Sequence, residues 1–91
     1  MSVSVRIPTI LRSYTGGASE VQAEGSTLAE VLDSLDTGYP GIKGRILDEQ
    51  GAIRRFVNVY VGNDDVRFLE ALQTSTPEGA QVSVIPAVAG G

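Results

Sequence analysis

The chain contains no cysteine, no histidine and no tryptophan among its 91 residues. Without cysteine there is no disulfide, no thiolate metal site and no cysteine nucleophile. Without histidine the commonest acid–base group at neutral pH and the commonest zinc ligand are missing too. Aromatics are scarce, three tyrosines and two phenylalanines, so the core has to be built mainly from Val, Leu and Ile. Positive charge is also short: the formal net charge is −4, which argues against nucleic acid or an anionic membrane surface as a non-specific partner. No apolar run approaches the ~20 residues of a membrane span, and Met1 opens no signal peptide. These absences lead to the expectation of a cytoplasmic domain that is poorly equipped to be an enzyme by itself.

What is present suffices for one compact domain. Hydrophobic residues make up 42% and charged residues 20%, a composition that can bury a core. Val3 to Ile7 alternates apolar and polar, the period of a half-buried strand, and Ala18 to Glu24 reads as its return after the Gly16-Gly17 turn. Leu28, Val31, Leu32 and Leu35 form one helical stripe. Thr27 and Glu30 have capping-box spacing, and Gly38 reads as a left-handed stop. Ile42 to Glu49 allows one helical turn. Arg55 to Val61 is the strongest strand signal, with Val57, Val59 and Val61 on one face and Phe56, Asn58 and Tyr60 on the other. Gly62 to Asp65 reads as a turn, Val66 to Phe68 as a short return strand, and Gln81 to Ile85 as the last strand, ended by Pro86. The order β-β-α-β-β implies an α+β fold: a mixed sheet with one main helix packed on one face, a roll of the ubiquitin-like, β-grasp kind. The expected organisation is a domain over residues 1–85 and a flexible Gly-Gly tail over 86–91.

Most candidate motifs have a plain structural explanation. Gly41-Ile42-Lys43-Gly44 fits a GxxG nucleotide-backbone clamp, but in so acidic a chain it reads better as a turn after the helix. Asn63-Asp64-Asp65 lacks the later ligands of a calcium loop, and Asp48-Glu49 has no more support. Lys43, the sole lysine, has no partner base in the pattern. Phe56 and Tyr60, placed on one strand face, could pack there or form a docking patch.

The chain end is the informative feature. Six residues after Ile85 span about 20 Å when extended, enough to enter a tunnel in another protein. Gly90 and Gly91 carry no Cβ, so such a tunnel can close on the backbone and the terminal carboxylate stays unhindered.

Pro86-Ala87-Val88-Ala89-Gly90-Gly91 resembles the tail of the ubiquitin-like sulfur carriers of the ThiS/MoaD family, and the likeness extends over the whole chain. Two internal stretches, Val5 to Arg12 with Thr15-Gly16-Gly17 and Arg55 to Val61 with Asp65 to Phe68, are most similar to the family's actinobacterial branch, which supplies sulfur for cysteine synthesis. The resemblance implies that Gly91 is adenylated by a ubiquitin-activating-like adenylyltransferase and converted to a thiocarboxylate. Val88, Ala89 and Gly90 would be the tail needed for that activation. It further implies that a pyridoxal-phosphate (PLP)-dependent cysteine synthase using O-phosphoserine accepts the sulfur, and that a JAMM-type zinc peptidase releases the cysteine. ATP, PLP and zinc would then belong to those partners, and the carrier would hold no cofactor and perform no catalysis. Within the same resemblance stand the small subunit of molybdopterin synthase, the thiamine thiazole carrier and a modifier conjugated to lysines.

Overall fold

A computed structural model describes residues 2–86 of the chain. Strand β1, Ser2–Arg6, pairs antiparallel with β2, Glu20–Glu24. A 3-10 segment, Thr9–Thr15, joins them. Helix α1, Leu28–Gly38, and the short α2, Lys43–Ile46, precede β3, Val57–Val61. Next come β4, Asp64–Asp65, two 3-10 turns, Val66–Phe68 and Ala71–Gln73, and finally β5, Gln81–Pro86. The sheet order is β2-β1-β5-β3-β4, with β5 parallel to β1 and antiparallel to β3. The last strand is therefore the central one. It includes Pro86, paired opposite Val57, one residue beyond the sequence expectation.

Alternation decides which face is buried. Val3 and Val5, Val21 and Ala23, Val57 and Val59, and Val82 and Val84 all point to the side covered by α1. The helix contributes Leu28, Val31, Leu32 and Leu35 to the same cluster. Each fully buried aliphatic side chain contributes about 1.5–3 kcal/mol, so this aliphatic layer holds the fold together without tryptophan or disulfides.

Four local expectations are corrected. The Glu30 carboxylate reaches back to Ser26 rather than Thr27, accepting from its backbone N–H at 2.9 Å and its hydroxyl at 3.0 Å. Thr27 itself accepts from the Glu30 N–H at 3.4 Å, as the spacing predicts. Gly38 is the last helical residue and is not left-handed; the helix ends because Pro40 drives Tyr39 out of the helical region, to φ −135°. The left-handed glycine is Gly41, φ 99°. The return strand after Gly62-Asn63 is Asp64–Asp65, and Val66–Phe68 is a 3-10 turn. There the Asp65 carboxylate accepts the Arg67 N–H at 2.9 Å and bends the chain, so that Val66 drops into the core. Phe56 precedes β3 in a turn and so does not share a strand face with Tyr60.

Candidate functional site

The end of β5 is the last described point of the chain before its C-terminus. Pro86 is paired with Val57 of β3, while the pairing of β5 with β1 ends at Ser83, so the remaining five residues follow the end of the central strand. Val88, Ala89, Gly90 and Gly91 lie outside the described residues.

Beside Pro86 is a groove of about 450 Å³, bounded by β1, β5 and the connection after β1. That connection is built from local constraints. Pro8 leads into the 3-10 segment, the Leu11 N–H donates to the Pro8 carbonyl, and Gly16 at φ 66° closes the turn. The buried Thr15 hydroxyl donates to the Ala18 carbonyl at 2.8 Å. With Leu11 and Thr15 taken by the interior, Ile10 is turned outward and is 69% exposed. The Arg12 Nε donates to the Ile7 carbonyl at 3.1 Å, which fixes the base of its guanidinium at the groove. Arg6 projects from the outer face of β1, at the register position beside Ser83. Ile85, 49% exposed, completes the apolar floor. The site thus joins an apolar floor, two guanidinium groups and the root of the chain end. It holds no nucleophile–base pair.

None of the other candidate residues lines this groove. Phe56 is 62% exposed, with the Arg55 guanidinium carbon 5.7 Å from its ring centroid. Tyr60 is half-buried, opposite Ser83 on β5 and Asp65 on β4. The Asp48 carboxylate accepts from the Gln50 and Ala52 N–H groups and closes its own loop. In the Gly41 to Gly44 stretch, the Gly41 and Lys43 N–H groups donate to the Asp36 carboxylate, and Lys43 forms an ion pair with Asp33. A nucleotide backbone would find those two amides already engaged.

Sequence reasoning missed Ile10, Arg6 and Arg12 as one site. Their proximity depends on β5 lying next to β1, and on the 3-10 segment folding back over the strand end. One signal was legible: with Ile10 and Leu11 adjacent, a single buried face can take only one of them.

The ThiS family profile matches residues 5–91. Over 93 aligned residues, covering all of both chains, the sequence is 48% identical to the sulfur carrier protein CysO of Mycobacterium tuberculosis. The fold is similar to CysO in the crystal structure of the Amycolatopsis orientalis BexX/CysO complex, with TM-score 0.92, 45% identity and coverage of 98% of this chain and 99% of that one. It is also similar to the crystal structure of M. tuberculosis CysO, with TM-score 0.91, 46% identity and coverage of 94% and 99%.

Proposed function

The chain belongs to the ThiS family, a family of β-grasp sulfur carriers, and on that premise we propose that Gly91 carries sulfur as a C-terminal thiocarboxylate for cysteine synthesis. The observation that carries this reading is the full-length relationship to CysO proteins, which covers the fold and reaches Gly91. The fold supports it: the chain end leaves from the central strand, and five further residues extend at most about 17 Å. That length lets a separate enzyme act on the terminal carboxylate while the domain stays outside.

The chemistry needs no side chain of the carrier. A Gly91 carboxylate oxygen attacks the α-phosphorus of ATP bound to an adenylyltransferase, and pyrophosphate leaves. A sulfide equivalent then adds to the acyl carbon, AMP leaves, and the thiocarboxylate remains. In a PLP-dependent cysteine synthase the thiocarboxylate sulfur would bond to the β-carbon derived from O-phosphoserine, whose phosphate leaves, giving a thioester between the carrier and cysteine. The cysteine, left on the carrier carboxyl after an S-to-N shift, is hydrolysed off by a JAMM-type zinc peptidase. ATP, PLP and zinc act in those partners.

The test is ATP–pyrophosphate exchange by the host's adenylyltransferase. A methyl group at Gly90 would crowd a tunnel fitted to bare backbone, and overpacking of about 1–3 kcal/mol corresponds to roughly a five- to 150-fold loss of kcat/KM for Gly90→Ala. Deleting Gly91 withdraws the carboxylate by about 3.3 Å and should cost more. Exchange at the wild-type rate by both variants would overturn the reading. Intact mass spectrometry of the carrier from its native host should show the exchange of one oxygen for sulfur.

A further inference from the structure

We propose that the open edge of β2 takes up an extended segment of a partner protein bearing Lys or Arg at alternate positions, which adds to the sheet as a further strand. The proposal is independent of the sulfur-carrier reading, since β1 separates β2 from β5 and the chain end.

The backbone is the first argument. β2 is an edge strand whose only neighbour in the sheet is β1. The Ile7 N–H donates to the Ser19 carbonyl at 2.8 Å, and the Ser4 N–H to the Ala80 carbonyl at 3.0 Å. Antiparallel pairing alternates, so the main-chain groups of Val21 and Ala23 face β1, and those of Glu20, Gln22 and Glu24 face away from it. The Glu24 N–H donates to the Ser34 Oγ at 3.0 Å, so α1 closes that end of the edge. Among the described residues the Glu20 and Gln22 N–H and C=O groups meet no partner, which leaves a short ladder open. An incoming strand finds its main-chain partners there and stops where Ser34 stands, which sets its register.

Charge is the second argument, and it selects the occupant. Five of the 11 acidic residues lie between positions 13 and 42, the stretch that contains β2 and α1, and none of the seven cations does. Glu20, Gln22 and Glu24 are exposed on the face of β2 opposite the core, and Glu30 and Asp33 are exposed on α1. Lys43 reaches back to Asp33, and Arg6 lies across from Glu20 with no ion pair between them. Two copies of this chain pairing edge to edge about Gln22 would set Glu20 of one opposite Glu24 of the other, which like-charge repulsion opposes. A basic strand meets the reverse condition, opposite charges directly across the ladder. Period-two alternation then fixes its pattern. Basic side chains stand beside Glu20 and Glu24, a polar one beside Gln22, and apolar ones beside the buried Val21 and Ala23.

The experiment titrates the full-length, isotope-labelled carrier with the end-blocked peptide Ser-Lys-Val-Thr-Val-Lys-Ser and reads amide shifts and hydrogen exchange by NMR. Exchange of the Glu20 and Gln22 amides should slow about tenfold at saturating peptide. A copy N-methylated on the backbone nitrogens of Lys and Thr keeps both charges, loses the ladder donors, and should bind about tenfold more weakly. This arm leaves the carrier itself unaltered. Glu20→Gln should weaken binding about threefold at low salt and change it little at high salt. No shift at millimolar peptide would overturn the proposal outright. Equal affinity of the N-methylated copy, or shifts without slowed exchange at Glu20 and Gln22, would mean diffuse attraction to an acidic face and would overturn the added strand. Equal affinity of a copy with Glu in place of both Lys residues would overturn the basic partner. Self-association of the carrier that protects the same two amides without peptide would put a second copy on the edge in the partner's place.

Discussion

Gly25 lies where β2 gives way to α1, against the first turn of the helix. A Cβ there would stand 2.6 Å from the Val31 nitrogen and 2.8 Å from the Glu30 Cβ, so the helix start would have to move. Gly25→Ala should therefore cost about 1–3 kcal/mol of stability, which a denaturant melt would measure. Gly38, with nothing within 4 Å of an added Cβ and an ordinary helical φ, is the contrasting case. Gly38→Ala should be neutral or stabilising by up to about 1 kcal/mol. Glu30 is the residue whose charge is tied to the fold. The Ser26 backbone N–H, and then its hydroxyl, hold the carboxyl below its ordinary range. A depressed folded pKa means that the contribution is complete above the unfolded value and fades as pH falls through the folded one. The melting-temperature gap between wild type and Glu30→Gln should accordingly be present at neutral pH and close in acid. A gap that widened in acid would contradict the Ser26 contact.

At the scale of elements, α1 presents two faces of different consequence. Leu32 is fully buried at the centre of the stripe, and Leu32→Ala should cost about 2–5 kcal/mol. Asp33 faces solvent and pairs with Lys43 across an exposed surface, so Asp33→Ala should cost under about 1 kcal/mol. Chemical denaturation of the two variants separates these values; equal effects would mean the helix presents the wrong face to the sheet. Asp36 shows what a helical wheel does not. On the pattern it belongs to the polar side, but its carboxylate caps the following turn through the Gly41 and Lys43 N–H groups. The turn after β4 works by the same logic. Arg67 donates to the Asn58 side chain at 2.8 Å and the Arg54 carbonyl at 2.7 Å, tying the Val66–Phe68 turn to β3 and the segment before it. A strand there would have left that edge open to pairing with another chain.

For the whole molecule, the buried core lies apart from the residues to which the proposed function is assigned. The buried cluster is assembled from residues between Val3 and Val84, on both sides of the helix–sheet interface. Truncation after Pro86 should thus change stability by less than about 1 kcal/mol while abolishing adenylation. Thermal melts and pyrophosphate exchange on one preparation would check both halves. A large fall in melting temperature would show that the chain end contributes to the core.

Composition and pattern alone determined the aliphatic core, the helical stripe from Leu28 to Leu35, the strand at Val57 to Val61 and the α+β class. These follow from side-chain periodicity, which is a property of neighbours along the chain. The chain-end glycines and the family resemblance were legible there too, because they are written in consecutive residues. Only the tertiary structure decided that β5 enters between β1 and β3, that Glu30 caps through Ser26, and that Asp65 bends the chain in place of a longer β4. It alone brought Arg6, Arg12, Ile10 and Ile85 around one groove. Residues 6 and 85 are neighbours because a parallel pairing closes over most of the chain. No local pattern encodes that pairing: it is chosen by the burial of Val3, Val5, Val82 and Val84 against the same helix.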